Sequence, residues 1–236
     1  MANRERLIFL DTETTGLDAN LGHRLIEVAA VESVGRRLTG RKYHTYLNPE
    51  REIDVRAQEI HGINLESLAD KPKFAQVVDD LLAFLAGSKL CIHNADFDLG
   101  FLNAELARLG RPPIAALDVE VVDTVAMARS LYPGKRNSLD ALCERLGVDN
   151  SARQLHGALL DARLLAEVYF AMTRGQENLD VSLPAVTAVE SIDSCIVADE
   201  HPQLCLIPVD ARVLAEHLSY LERIKAPGRG QSVWMS

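Results

Sequence analysis

Few cysteines, no long apolar run and a shortage of positive charge set the first limits on this chain of 236 residues. Its four cysteines, Cys91, Cys143, Cys195 and Cys205, lie far apart. None has a close cysteine partner or a histidine at zinc-site spacing, which argues against a disulfide framework or a structural zinc and for buried free thiols. Only four consecutive apolar residues, Leu7 to Leu10, precede Asp11. That run is too short for a secretory core, and no later stretch approaches membrane-spanning length, so the expectation is a soluble, cytoplasmic protein with no membrane contact. The net charge of −9 excludes a broad basic face for nucleic acid, because such binding draws on many Lys and Arg contacts to phosphate. A nucleic-acid substrate would have to be gripped briefly and locally, by cations held on acids or with help from a partner protein.

The chain does have carboxylates in telling places. Asp11 and Glu13 follow Leu7-Ile8-Phe9-Leu10 and precede Thr14-Thr15-Gly16. Alternate side chains of an extended strand project from one side, so the two acids aim at one point and repel each other unless a cation lies between them. Asp98 follows a second buried-looking strand, and His156 and Asp161 stand five residues apart at the mouth of a helical segment. Oxygen ligands favour hard cations such as Mg²⁺ or Mn²⁺ over Zn²⁺. Two such ions roughly 3.5–4 Å apart can stabilise the entering and departing oxygens of a phosphodiester, with Asp11 as the bridging candidate and Glu13, Asp98 and Asp161 completing the cage. An imidazole with an ordinary pKa of about 6.5 makes His156 a general base near neutral pH. Taken singly, each acid reads equally as a surface or capping residue, Asp98 especially at a helix start, and His156 as a hydrogen-bonded cap.

Hydrophobic periodicity places these residues. Leu7–Leu10, Leu25–Val34 and Arg41–Leu47 read as strands of an antiparallel meander turned at Gly35 and Gly40, and Lys89–His93 and Val119–Val122 as later strands. Phe74–Ala86, Phe97–Leu109, Leu139–Leu146 and Ala158–Met172 read as helices, with Ser138 as an N-cap and Gly87 and Gly147 as stops. Strands in a meander followed by strands alternating with helices predict an α/β fold, a mixed sheet covered on both faces. After Arg174 the composition changes, since no Lys or Arg occurs before Arg212 and Pro184 and Pro202 interrupt any helix. Residues 175–202 read as a linker. Beyond it, a strand at Leu204–Ile207 and a helix at Ala211–Ile224, with Leu214, Leu218 and Leu221 on one side, form a segment of residues 203–236 too small to fold alone and so built to dock.

The segments DTETTGL, IHGI, HNADFD, DTVAMAR, PGKRNSLDALC and HGALLDARLLAEVY, beginning at Asp11, Ile60, His93, Asp123, Pro133 and His156, together resemble the 3′–5′ exonucleases named for four acids and a histidine. The likeness is to their proofreading branch, the epsilon subunits of bacterial DNA polymerase III. It covers roughly residues 7–173, and the spacing of His156 and Asp161 belongs to the histidine subclass. The resemblance implies a ribonuclease-H-like five-stranded sheet, an exonuclease domain over residues 1–174, two divalent cations on Asp11, Glu13, Asp98 and Asp161, and His156 as proton acceptor. It also implies that His61, Asn94 and Phe97 line a pocket for the single-stranded 3′ end of DNA, where Phe97 can stack on any base. Without it, His61 is an ordinary loop histidine and Phe97 a core aromatic.

In relatives the tail anchors the exonuclease to the polymerase alpha subunit, which points to Leu214, Leu218 and the terminal Trp234. Gln176 and Leu179 sit in a degenerate sliding-clamp peptide that a fraying helix end explains almost as well, and a theta-like subunit is a further partner. One departure is Val55-Arg56-Ala57 ahead of IHGI, where relatives commonly carry Pro-Glu-Ala, which leaves the role of Arg56 open. Lys135-Arg136 reads either as solvated surface or as a phosphate contact. Two rival functions stand beside proofreading: a free-standing exoribonuclease of the same fold, and a catalytically idle adaptor between polymerase and clamp.

Overall fold

A five-stranded mixed sheet carries the site. The computed structural model describes residues 5–153, 155–174 and 210–224, and these fall into two units divided between residues 181 and 182. In the first unit, β1 (Arg6–Thr14) pairs antiparallel with β2 (Leu25–Val34), which pairs antiparallel with β3 (Arg37–Tyr46). On its other side β1 pairs parallel with β4 (Lys89–Ile92), and β4 pairs parallel with β5 (Glu120–Asp123), giving the order β3-β2-β1-β4-β5. Helices α1 (Val55–His61), α2 (Phe74–Leu85), α3 (Ala95–Arg108), α4 (Thr124–Leu131), α5 (Leu139–Leu146) and α6 (Ala158–Met172) complete this unit.

The alternation of β1 divides the core. Ile8 and Leu10 face one layer, where they meet Phe74, Val78 and Leu81 of α2 and Phe101 and Leu102 of α3. Leu7 and Phe9 face the opposite layer and pack on Leu142 of α5 and Leu165, Val168 and Met172 of α6. Each fully buried Leu, Ile or Phe contributes roughly 1.5–3 kcal/mol, so β1 is clamped between layers. Asp11 and Glu13 continue the row of Leu7 and Phe9 beyond the reach of that packing. The periodicity that sets the fold therefore also directs both acids to the α6 side.

Besides β3, which begins at Arg37 and runs through Gly40 where a turn is expected, three local features depart from the sequence reading. First, β1 runs on through Thr14, past the acidic pair in which the apolar run is expected to end, because its ladder with β2 continues, Asp11 opposite Ala29 and Glu13 opposite Glu27. The acid pair is thereby held inside a strand. Second, α1 and α4 form where periodicity gives no helix. Both are short, and α1 buries only Ala57 and His61, which leaves no apolar stripe to detect. Third, α3 starts at Ala95 instead of Phe97, after Asn94 adopts the left-handed conformation at φ 69°. That sharp turn brings Asp98 into the first turn of the helix.

The second unit contributes α7 (Ala211–Ile224), the helix expected in the tail, on which Leu214 is exposed. The side chain of Leu218, together with Gln176, Leu179, Trp234, the expected strand at Leu204–Ile207 and the linker 175–202, lies outside the described residues. Among the described residues no helix is long and apolar enough to cross a membrane.

Candidate active site

Asp11, Glu13, His61, Asn94, Phe97, Asp98, His156 and Asp161 all line one cleft of about 340 Å³. The cleft lies where β4 stops beside Leu10 while β1 continues past it, a place where a parallel sheet opens at the carboxyl ends of its strands. Asp98 reaches it from α3 and accepts a hydrogen bond from the Thr12 hydroxyl at 2.7 Å. Asp161 enters from the first turn of α6 and is buried. Glu13, His156 and Asp161 each offer a ligand atom within 4.8 Å of the others.

Buried Glu27, which sequence reasoning missed, sets the depth of α6. Its carboxylate accepts the Ala158 backbone N–H at 3.2 Å at the helix start and lies 2.7 Å from His44 Nε2. An acid in a strand of Val and Ala gives little sign of such a role. Its position opposite Glu13 is visible only once the strand register is known.

Crowding raises the carboxyl pKa values. Burial, then Asp161, Glu27 and Asp98, push Glu13 up to about 8. Burial pushes Asp98 to about 7 against the hydrogen bonds that favour its charged form. Asp11 is raised well above the usual range by burial and by the charges of Asp98, Glu13 and Asp161. Asp11, Glu13 and Asp98, which resist ionising together beside Asp161, make a site that gains from a multivalent cation.

Arg153 supplies the counter-charge inside the cluster, and nothing in the sequence distinguished it. Its Nε and Nη2 donate to Oδ1 and Oδ2 of Asp161 at 2.6 and 2.7 Å. Nη1 lies 2.6 Å from Asp140 Oδ2, and Nη2 lies 3.1 Å from His156 Nδ1. A bidentate guanidinium–carboxylate fork is a strong, charge-assisted contact, but it uses lone pairs that a divalent cation on Asp161, or a proton on His156 Nδ1, would need. Arg153→Ala is therefore expected to lower the melting temperature in a chelating buffer, because a buried carboxylate loses its partner. It is also expected to tighten Mn²⁺ binding in calorimetry. Weaker Mn²⁺ binding would mean that Arg153 holds Asp161 in place for the ion.

The loop bearing His156 is tied to α1. The His156 backbone N–H donates to the Ile60 carbonyl at 3.1 Å. Gly62, which ends α1 at φ 70°, sits where an added Cβ would lie 2.6 Å from Leu155 Cδ1. In Gly62→Ala the exposed Leu155 side chain can turn aside, but the left-handed backbone is strained at the end of α1 that anchors the His156 loop, which should cost several-fold in kcat. Wild-type kcat in steady-state assays of this variant would refute the coupling. His61 closes α1 and is buried. Its Nδ1 accepts the Ile63 N–H at 3.0 Å, which places the proton on Nε2, and that buried nitrogen has no partner among the described residues. Burial also lowers its pKa, so the ring is a neutral N–H donor in the wall of the cleft. Phe97 packs on Phe101 at 5.0 Å between ring centroids while lining the cleft, and Asn94 is exposed at the turn into α3. Arg56 is exposed on α1 and does not line the cleft.

Oxygen donors from β1, α3 and α6 converging with one histidine fit hard divalent cations. A ribonuclease-H-like sheet carrying that cluster defines the class, a metal-dependent exonuclease of the type with four acids and a histidine. The exonuclease family model matches residues 8–169. The chain is 47% identical to DNA polymerase III subunit epsilon of Rickettsia typhi over 221 residues, 93% of this chain and 96% of that one. It is 44% identical to the Escherichia coli protein of the same name over 236 residues, 97% of each. Among solved structures, exonuclease X in complex with 5′ overhanging duplex DNA superposes with a TM-score of 0.55 at 27% identity, over 72% of this chain and 92% of that one. The nuclease domain of 3′hExo, a member of the same acid-and-histidine group bound to rAMP, gives 0.63 at 20% identity over 74% and 94%, a likeness of fold. The chain belongs to the family of DNA polymerase III epsilon subunits, the proofreading exonucleases, and is a 3′–5′ exonuclease.

Proposed function

We propose that the chain removes mispaired 3′-terminal nucleotides from DNA at this cleft, with Asp11, Glu13, Asp98 and Asp161 holding two Mg²⁺ or Mn²⁺ ions. The observation that carries this reading is the convergence of all four acids and His156 on one cavity. When bound, the ions supply Lewis-acid stabilisation to the entering and departing oxygens of the phosphodiester. The chain's own groups do the rest. His156 accepts a proton from the attacking water once Arg153 releases its Nδ1, and the bond to the 3′ oxygen of the preceding nucleotide breaks, leaving a nucleoside 5′-monophosphate. The His61 Nε2–H and Asn94 orient the terminal nucleotide, and Phe97 stacks on its base without regard to sequence. A mispaired end frays at little cost, so a site that admits only single-stranded termini selects errors without reading bases.

This chemistry supports cytoplasmic replication, with the polymerase III alpha subunit on the tail at Leu214, Leu218 and Trp234, the sliding clamp at Gln176 and Leu179, and a theta-like subunit as a further partner. The acidic net charge agrees with delivery by a DNA-holding partner. Degradation of a mispaired DNA primer, compared with short RNA in Mn²⁺, tests the substrate. Faster mispaired-primer hydrolysis supports proofreading, strong preference for RNA would make the chain an exoribonuclease, and no activity on either would make it an adaptor. A pull-down with the alpha subunit, comparing the full chain with one ending at Thr173, tests the tail. Equal capture by both would move the docking site to the first unit.

A further inference from the structure

The loop between α4 and α5 is built to present cations. Arg145 of α5 pins it at the surface, donating to the Arg136 carbonyl at 2.7 Å and the Asn137 Oδ1 at 3.3 Å, while its guanidinium lies 4.8 Å from the centre of the Tyr132 ring. Gly134 makes the turn at φ 73°. Lys135 and Arg136 on this loop, and Arg129 in the last turn of α4 just before it, are exposed, and none of the three side chains has an ion pair or hydrogen bond among the described residues. In a chain of net charge −9, three cations unpaired among the described residues, one at the end of α4 and two on the loop that follows it, are a local inversion of sign.

Their place in the fold gives that inversion a direction. A cavity of about 530 Å³ containing Arg129 and Lys135 shares His93, Asn94 and Ser138 with the catalytic cleft, and no acid lines it. A second cavity, sharing Gly134 and Lys135 with the first, carries Arg136 and Arg145 with Glu144 as its one acid. The two form a path that leaves the cleft on the Asn94 side, away from the acid cluster and towards positive charge.

We infer that Arg129, Lys135 and Arg136 hold the sugar–phosphate backbone of the strand being shortened, at nucleotides 5′ of the scissile bond. The occupant is a polyanion because the free groups are cations and amides. It is the substrate strand because the path is continuous with the cleft that takes its 3′ end. Contacts to phosphate position a strand without reading its sequence, as an enzyme that trims any terminus requires. The cations also supply the local grip that the net charge withholds from the rest of the surface.

This inference rests on the nuclease reading, and two substrates separate the two. The full chain and its Lys135→Ala/Arg136→Ala variant are assayed in Mn²⁺ with a single-stranded ten-nucleotide DNA and with the p-nitrophenyl ester of thymidine 5′-monophosphate, which fills only the cleft. The variant's KM for the oligonucleotide should rise roughly tenfold with kcat unchanged, and its log–log salt dependence should flatten by about 0.7 for each phosphate that is no longer neutralised. The ester's kcat and KM should not change, and Lys135→Arg/Arg136→Lys should restore the oligonucleotide KM. An unchanged oligonucleotide KM, or an equal loss on both substrates, would overturn the inference. Failure of the unmodified chain to cleave either substrate would instead overturn the nuclease reading.

Discussion

Asp11→Ala should reduce hydrolysis of a mispaired primer by at least about 10³-fold while leaving the fold intact, since the loss of one ligand from a cation pair removes several kcal/mol of transition-state charge stabilisation. Asp11 sits at the centre of the acid cluster, raised in pKa by burial and by Asp98, Glu13 and Asp161. Removing it relieves that repulsion, so the melting temperature of Asp11→Asn in a chelating buffer should exceed that of the unmodified chain. The pH dependence has the same origin. Glu13 and Asp98 hold folded-state values of about 8 and about 7, above their ordinary 4.5 and 3.8. The folded chain therefore keeps protons that the unfolded chain has released. The stability this gives is fully present below about pH 4 and is lost as pH rises through the folded-state values. Thermal melts with chelator should fall steadily from pH 5 to pH 8.5, and millimolar Mn²⁺ should flatten that fall. A melting temperature indifferent to both pH and Mn²⁺ would remove the electrostatic basis of the site.

His156→Ala should lower kcat about 10²–10⁴-fold with little change in KM, the usual effect of deleting a general base. Burial, then the neighbouring Arg153 charge, hold the imidazole below its ordinary value of 6.5, so the neutral form predominates at neutral pH and the acid limb of the unmodified enzyme should lie below pH 6.5. That limb should be absent from the variant's profile. His156→Gln keeps a polar side chain but cannot accept the proton, so it should be as slow as the alanine variant. A glutamine variant near wild-type rate would reduce His156 to a positioning role.

The residues that sequence alone could identify were those whose roles follow from short-range pattern. The alternation through Leu7–Leu10 gives β1 and the shared aim of Asp11 and Glu13. The bounds Leu25–Val34, Leu139–Leu146 and Ala158–Met172 coincide with β2, α5 and α6, because apolar periodicity and caps define them locally. The short helices α1 and α4 escaped because they bury too little to leave a stripe. Arg153 and Glu27 escaped for a different reason. Each works through partners that only the fold brings together, Glu27 with His44 of β3 and the start of α6, Arg153 across a loop with α5 and α6. Charged residues of that kind look like ordinary solvated surface until the chain is folded.

Of the four cysteines read as buried free thiols, Cys91 and Cys143 are free and packed in the core on the α6 side of the sheet, while Cys195 and Cys205 lie outside the described residues. Burial pushes the Cys91 and Cys143 thiols up to about 12 and about 11, which keeps them protonated and unreactive near neutral pH.

Anomalous scattering from crystals soaked in Mn²⁺ is the most direct measurement of the central claim. Two peaks roughly 3.5–4 Å apart are expected among Asp11, Glu13, Asp98 and Asp161, with the Arg153 guanidinium drawn off at least one Asp161 oxygen. Manganese found only at surface carboxylates, with the Arg153–Asp161 fork intact and no density among the four acids, would contradict the account.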